Sequence, residues 1–441
     1  MLKFLAVSLA CGLAALAADA PAPVTFTKDI ARIFQAKCNE CHRPGTAAPM
    51  SLETYDQVRP WARSIKQRIL MRQMPPWSID KTVGVQQFSN DRSLSDDQIA
   101  AIVRWVDAGA PMGDPKDMPP AQQWPSDEGW QLAKEFGRGP DFVIQSEPYT
   151  MPAQSQDQWW KPLADVPVTE PRWVRAVEMR PGTKEGRKIT HHALAHLVQD
   201  DPEALRLGSD SGDGQGGVLM EWAVGKNFDV YREGTGKLLM PGSHIWWDIH
   251  YHAAGEEIRD HVELGVWLYP KGQEPKYRTY LTAFNATASS GSPLDIPPNS
   301  MAVSQGFHVL KQAARLENFQ PHMHLRGKAM LLEAILPDGS TQTISYVGNF
   351  DFNWMTNYIY SDDAAPVLPK GTIVHVTAWH DNTAQNRGNP DPNQWVGWGD
   401  RTVDEMAHAW VNVTYISDDD YNAWAAKHKP ARTPNSRTIS Q

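Results

Sequence analysis

Two groups of residues in this chain have the types and spacing to do chemistry, and they lie far apart. The first is Cys38-Asn39-Glu40-Cys41-His42, a C-x-x-C-H motif. Two thiols at that spacing add to the vinyl groups of a haem, and the histidine that follows ligates the iron from one side. A zinc site would need further cysteines, and the only other one, Cys11, sits in an N-terminal apolar run. The opposite iron ligand is expected from Met71-Arg72-Gln73-Met74-Pro75-Pro76-Trp77. Met74 is preferred, because a Met-Pro-Pro stretch is non-helical and can aim a thioether; Met50 and Met71 are its rivals. Ligation by His and Met raises a haem potential and suits electron transfer.

The second group is histidine. Thirteen of the fifteen His fall between residues 191 and 408, in clusters at His191-His192, at His250 with His252, and at His322 with His324. Residues i and i+2 of a strand share a face, so an H-x-H pair can hold one ion with both rings. Adjacent His191 and His192 would point to opposite faces unless a bulge, a strand end or a choice of ring nitrogens brings them together. Imidazole sets suit zinc, copper, nickel or iron, and a thioether partner tilts the choice to copper. The sequence has no H-E-x-x-H helix of a zinc protease and no G-x-S-x-G nucleophile elbow.

These residues need elements to position them. Around the cysteines the pattern is helical: Ile30, Ile33 and Phe34 form one stripe. Ser95-Asp96-Asp97-Gln98 reads as a capping box opening a helix with Ile99, Ile102, Val103 and Val106 on one face, closed by Gly109 and Pro111. A proline-rich stretch, residues 113–140, reads as a linker. Beyond it strand signals take over at Trp173–Met179, Ile245–Tyr251, Ala329–Leu336 and Thr372–Trp379, with Pro/Gly turns between them. About 280 residues of that kind suffice for two β-sandwiches. Charged residues at 21% and apolar ones at 41% exclude a disordered chain, and a net charge of −9 removes any basic surplus for nucleic acid. Residues 1–20, with Lys3, a short apolar run and small-x-small sites at Ala15–Ala17 and Ala18–Ala20, read as a cleaved signal peptide. The expected location is periplasmic or secreted, with neither a lipid anchor nor an integral membrane span.

The first module, residues 24–112, resembles a class I cytochrome c. In the β-rich part, Thr190-His191-His192, Ile249-His250-Tyr251, His322-Met323-His324-Leu325 and Gly399–Met406 occur in the order of the copper type II, ascorbate-dependent monooxygenases, the peptidylglycine α-hydroxylating and dopamine β-monooxygenase-like family. His380-Asp381-Asn382 and Asn389-Pro390-Asp391-Pro392 resemble a bacterial branch with a cytochrome c domain in front. The resemblance implies a small all-α haem domain followed by two all-β, jelly-roll-like sandwich subdomains, at 141–282 and 283–420, with a tail at 421–441. It implies one covalent haem c and two coppers. His191, His192 and His250 would hold the electron-transfer copper, and His322, His324 and Met406 the catalytic copper that meets O2. The expected activity is hydroxylation of a C–H bond in a small-molecule substrate, with electrons from an external donor, ascorbate or a redox protein. The alternative is a haem and copper electron-transfer or copper-binding protein without oxygenase activity. The sequence departs from the peptide-hydroxylating members at Gln320, where they carry a carboxylate-gripping Arg, and at His408 and Trp410, where they carry Asn and Tyr. A peptidylglycine substrate is therefore not expected. The other histidines, His196, His244, His252, His261, His308, His375, His380, His408 and His428, are read as structural or surface residues, with His252 a competitor of His250, and Asp248 as a partner that orients His250.

Overall fold

The computed structural model describes residues 23–44, 46, 48–124, 129–207, 217–223, 226–287 and 294–428. The expected signal segment and the chain beyond residue 428 lie outside them. Among the described residues the molecule is mostly β-sheet with few helices, and no helix is long and apolar enough to cross a membrane. The chain divides into two compact units, 1–75 with 93–123 and 76–92 with 124–441.

The first unit is helical where it is described. A single π-helical turn, Phe26–Ile30, runs into the helix Ala31–Lys37, followed by Tyr55–Val58, Ala62–Leu70 and Asp96–Asp107. The capping box is present as read: Ser95 Oγ accepts from Gln98 N, and the Gln98 side chain accepts from Ser95 N. The buried face of that helix centres on Ile102 and Trp105, with Ile99, Val103 and Val106 flanking. Trp105 packs with Phe26, Ile30 and Phe34, and its Nε1 donates to Pro111 O at 3.0 Å. Gly109 takes φ +86°, a left-handed conformation that suits glycine, and ends the helix.

Two departures from the sequence reading concern boundaries. Pro76–Arg92 belongs to the β-rich unit, although it lies within the span read as one haem module. The reason is apolar: Trp77, Ile79 and Phe88 are buried there, and Ile79 and Phe88 bridge to Val347 and Tyr360. The stretch read as linker holds a helix, Gln131–Phe136, whose Leu132 is buried beside Trp267 and Ala176. Glu178 accepts from the N–H groups of Gln131 and Leu132 at 2.8 and 2.9 Å, satisfying two free donors of that helix start.

The β-rich unit holds two large apolar cores. In the first, strands Arg172–Pro181 and Val262–Leu268 pack against Thr190–Val198, Gly217–Ala223 and His244–Tyr251 around Val177, Leu264, Trp247 and Ile249. In the second, a four-stranded sheet ordered Met301–Val309, Ile373–Asp381, Gly327–Ile335, Thr341–Val347 shares a core with Asn318–Met323 and Ala407–Tyr415. Both arrangements lay sheet on sheet, as in a β-sandwich. All four strands expected from the sequence are present, each shifted by one or two residues at its ends. One sheet path joins the halves: Tyr277–Asn285 pairs with Gly217–Ala223 through Leu281 and Val218, and with Ala407–Tyr415 along its length.

Candidate metal centres

The strand Thr190–Val198 carries His191 and His192 at its first turn of pleat, and its neighbour His244–Tyr251 carries His250. In register, His250 faces His192 while Tyr251 faces Thr190, so His191 is an extra residue, a β-bulge. That bulge resolves the problem of adjacent histidines: it turns His191 to the same side as its neighbour. One ring nitrogen from each of His191, His192 and His250 lies within 4.8 Å of the other two, the only such trio of His, Cys, Asp or Glu among the described residues. His191 Nδ1 and His192 Nδ1 are 3.1 Å apart.

Asp157 sets the orientation of His250. Its carboxylate takes His250 Nε2 at 2.8 Å and His252 Nδ1 at 2.8 Å. His250 Nδ1 is left buried without a hydrogen-bond partner. The indole of Trp159 stacks on His250 at 4.5 Å and 8°. His252 is thus a surface residue tied to Asp157, and Asp248 meets Lys161 at 3.1 Å. Burial holds all three cluster imidazoles below the usual histidine range, His191 down to about 4. They are neutral at neutral pH, the form that ligates metal.

The second group gathers at the end of Asn318–Met323. His322 and His324 rings lie 5.3 Å apart. His322 faces His408 in register, and Met323 faces Ala407, the residue after Met406. His322 and His408 therefore share one face of the sheet, and His324 and Met406 are the next residues beyond the ends of the two paired strands. His324 Nδ1 sits 3.2 Å from Asp404 O, which leaves its Nε2 for a ligand. The fully buried Glu405 organises this corner. It accepts from His324 N at 2.9 Å, from Arg326 N at 2.6 Å and from Met406 N at 3.3 Å. His380 Nε2 lies 3.2 Å from Met406 O. Arg326, equally buried, ties together Asn382 and the carbonyls of Val403 and Asp391. The two motifs beyond residue 379 are therefore scaffold for the Met406 corner. Gly399 is required there, since a Cβ would fall 2.4 Å from an Asp404 oxygen.

His408 stacks against His322 at 4.6 Å, is 5% exposed, and has no partner for either ring nitrogen. Burial pulls its imidazole down to about 3. Gln320, fully buried, donates to Glu221 at 2.9 Å. The two histidine groups are neighbours: the Phe352 ring lies 5.6 Å from His191 and 6.0 Å from His324. Asp157 and Phe352 were not singled out from the sequence, and Glu405 only as a member of the Gly399–Met406 motif.

In the helical unit, Cys38 O accepts from Cys41 N and His42 N, a helical turn that sets both sulfurs and the imidazole on one segment. His42 Nδ1 lies 3.1 Å from Met50 O, leaving Nε2 for an iron. Met50 is partly buried against the core of this unit, Met71 is exposed, and Met74 is half-buried in the turn after Ala62–Leu70.

No family model and no curated protein matches the chain. Solved structures with partial likeness include the major capsid protein P2 of bacteriophage PM2, at 10% identity, covering 62% of this chain and 97% of that one, with a TM-score of 0.27. Another is infectious bursal disease virus strain Gx, at 10% identity over 63% of this chain and 71% of that one, TM-score 0.17. These likenesses are too distant to bear on fold or function.

Proposed function

We propose that this chain is an exported haem c and dicopper monooxygenase, a cytochrome c-like domain followed by two jelly-roll-like copper subdomains. One observation carries the reading: a bulge brings three neutral imidazoles together, and Asp157 turns His250 so that its buried Nδ1 has no protein partner. A buried ring nitrogen left bare costs about 1–3 kcal/mol, and a metal ion would remove that cost. The donor sets fit the groups proposed. His191, His192 and His250 would hold one copper. His322, His324 and Met406 would hold the other, the soft thioether favouring copper over zinc. Cys38, Cys41 and His42, with Met74 opposite, would hold haem c. When bound, copper supplies one-electron chemistry toward O2, and the haem supplies a relay for electrons from ascorbate or a redox protein.

The protein's own residues do the positioning. Glu405 and His380 hold the backbone of Met406 and His324 in place. Asp157 and Trp159 fix His250. His408, bare at both nitrogens beside His322, offers a hydrogen bond to a bound small molecule. Gln320 is neutral and engaged with Glu221, so the position has no cation to grip a substrate carboxylate. The substrate expected is a small molecule without a carboxylate at that end.

The test is metal content followed by oxygen uptake. Protein matured with haem and loaded with copper should retain two coppers per iron after dialysis and consume O2 only with substrate and donor. Met406→Ala should abolish substrate-dependent uptake and leave the haem spectrum unchanged. Two coppers without any substrate-dependent uptake across a broad small-molecule panel would favour an electron-transfer protein.

A further inference from the structure

The loop expected to present Met74 runs directly into a segment of the β-rich unit. Met74 and Ser93 belong to the helical unit, and Pro76–Arg92 between them belongs to the other. Upstream of Met74, a turn is closed by Gln73 N, which donates to Arg68 O at 2.9 Å. Downstream, only Pro75 and Pro76 separate Met74 from Trp77. The two proline rings lock their φ angles, and the chain from Met74 to Trp77 spans at most about 11 Å. Whatever holds Trp77 therefore restrains Met74.

Trp77 is held by the β-rich core. Its indole is buried and meets Tyr358 edge-on at 4.8 Å and Phe88 edge-on at 5.8 Å. Ser78 N donates to the Tyr358 hydroxyl at 3.1 Å. Asp80 N and Val85 N donate to Tyr346 O and Ile344 O, both at 2.8 Å, so the segment lies along the outer strand Thr341–Val347. Gly84 allows that approach: it takes φ +59°, and a Cβ there would fall 2.2 Å from Ile344 O. Asn90 closes the far end, donating to Asn357 O at 2.7 Å and accepting from Ile359 N at 3.0 Å.

We propose that Trp77 is a positioning residue for the haem iron: by seating Trp77, the β-rich core pins the loop that presents Met74, so that thioether ligation and the folding of the β-rich unit are coupled. The inference rests on the reading that the chain carries haem c with Met74 opposite His42. With Trp77 freed, ligation must itself order backbone that the core otherwise orders in advance. One such residue weakens ligation by about tenfold. The coupling is reciprocal, so ligation stabilises the seat of Trp77 by the same factor.

The experiment uses the full chain, matured with haem and free of copper, with imidazole as the probe. Imidazole displaces Met74: the iron–sulfur bond breaks, an iron–nitrogen bond forms, and no electron moves. Its affinity for the ferric haem is read from loss of the sulfur-to-iron charge-transfer absorption. Trp77→Ala should raise that affinity about tenfold. Tyr358→Phe keeps every ring, removes the acceptor of Ser78 N and serves where Trp77→Ala does not fold; it should raise the affinity about threefold. Trp77→Phe should stay near wild type. Saturating imidazole should lower the unfolding midpoint of the β-rich unit in wild type and leave it unchanged in Trp77→Ala. Wild-type imidazole affinity in folded Trp77→Ala or in Tyr358→Phe would overturn the role of Trp77 and leave the proposed function standing. So would a charge-transfer absorption that survives Met74→Ala. A chain that takes up no covalent haem would bring down both.

Discussion

The Glu405 carboxylate offers the sharpest test of how the Met406 corner is built. Its Oε2 accepts from His324 N and Met406 N, and its Oε1 accepts from Arg326 N at 2.6 Å. Consider Glu405→Gln. The amide keeps one acceptor oxygen and puts an NH2 in place of the other. If the oxygen stays toward His324 and Met406, the NH2 faces the buried Arg326 N–H, donor against donor. A hydrogen bond to a charged group is worth about 1.5–3 kcal/mol, and a stranded buried N–H costs a similar amount. The expected loss is about 3 kcal/mol of stability in the β-rich unit. Loss of a partner that orients metal ligands typically costs 10- to 100-fold in affinity. The His322/His324/Met406 site should therefore weaken by about tenfold or more, while His191/His192/His250 keeps its affinity. Two-site copper titration with denaturant unfolding of the apoprotein measures both. A variant with unchanged stability and unchanged affinity at the second site would refute the argument. Equal losses at both sites would show a global effect and refute it too.

Two further perturbations follow from buried groups. Asp157→Ala strips the acceptor from His250 Nε2, so copper affinity at the first site should fall about 10- to 100-fold, with the Met406 site unaffected; a titration showing both sites intact would sink the orienting role. Lys237 is buried, donates to the carbonyls of Val218 and Leu219, and is pulled by burial from the usual lysine range down to about 7. An unfolded lysine stays charged to about 10.4, so between pH 7 and 10 the unfolded chain binds more protons and this group makes stability rise with pH. Lys237→Met should be more stable than wild type at pH 7 and below, and the difference should shrink toward pH 10. Parallel pH dependence of the two unfolding midpoints would contradict the assignment.

How much of this was legible in the sequence depends on the range of the interaction. The Ser95 capping box was readable because all its atoms lie within four residues, and its helix follows as read. The strands were readable from alternation and turns. The pairing of His191 with His192 was readable only as a choice among bulge, strand end and nitrogen; the register across to His250 and Tyr251 makes it a bulge. What could not be read is long-range. Asp157 acts on a histidine 93 residues away, and Glu405 on an amide 81 residues away. Asp157 stands in no motif, and the motif that holds Glu405 does not name the amide it binds. Asp248, chosen because it shares a strand face with His250, meets Lys161 at 3.1 Å, because neighbouring strands and turns, not the host strand, decide who reaches a ring.

The same logic explains why Gly399–Met406 is more than a ligand and its surroundings. Met406 alone would be one thioether on a strand end. Gly399 lets Asp404 approach, Asp404 is held by Arg401 and presents its carbonyl to His324 Nδ1, and Glu405 binds the amides on both sides of the corner. Gly399, Arg401, Asp404 and Glu405 together constrain the His324 ring and the backbone of Met406. Placing those constraints in a contiguous stretch lets one loop position the side chains proposed as ligands, and it orders the corner without any ion. That preorganisation predicts a local failure: a change at Gly399, where any Cβ collides with Asp404, should weaken the second site and spare the first, because the bulge at His191 shares none of these contacts.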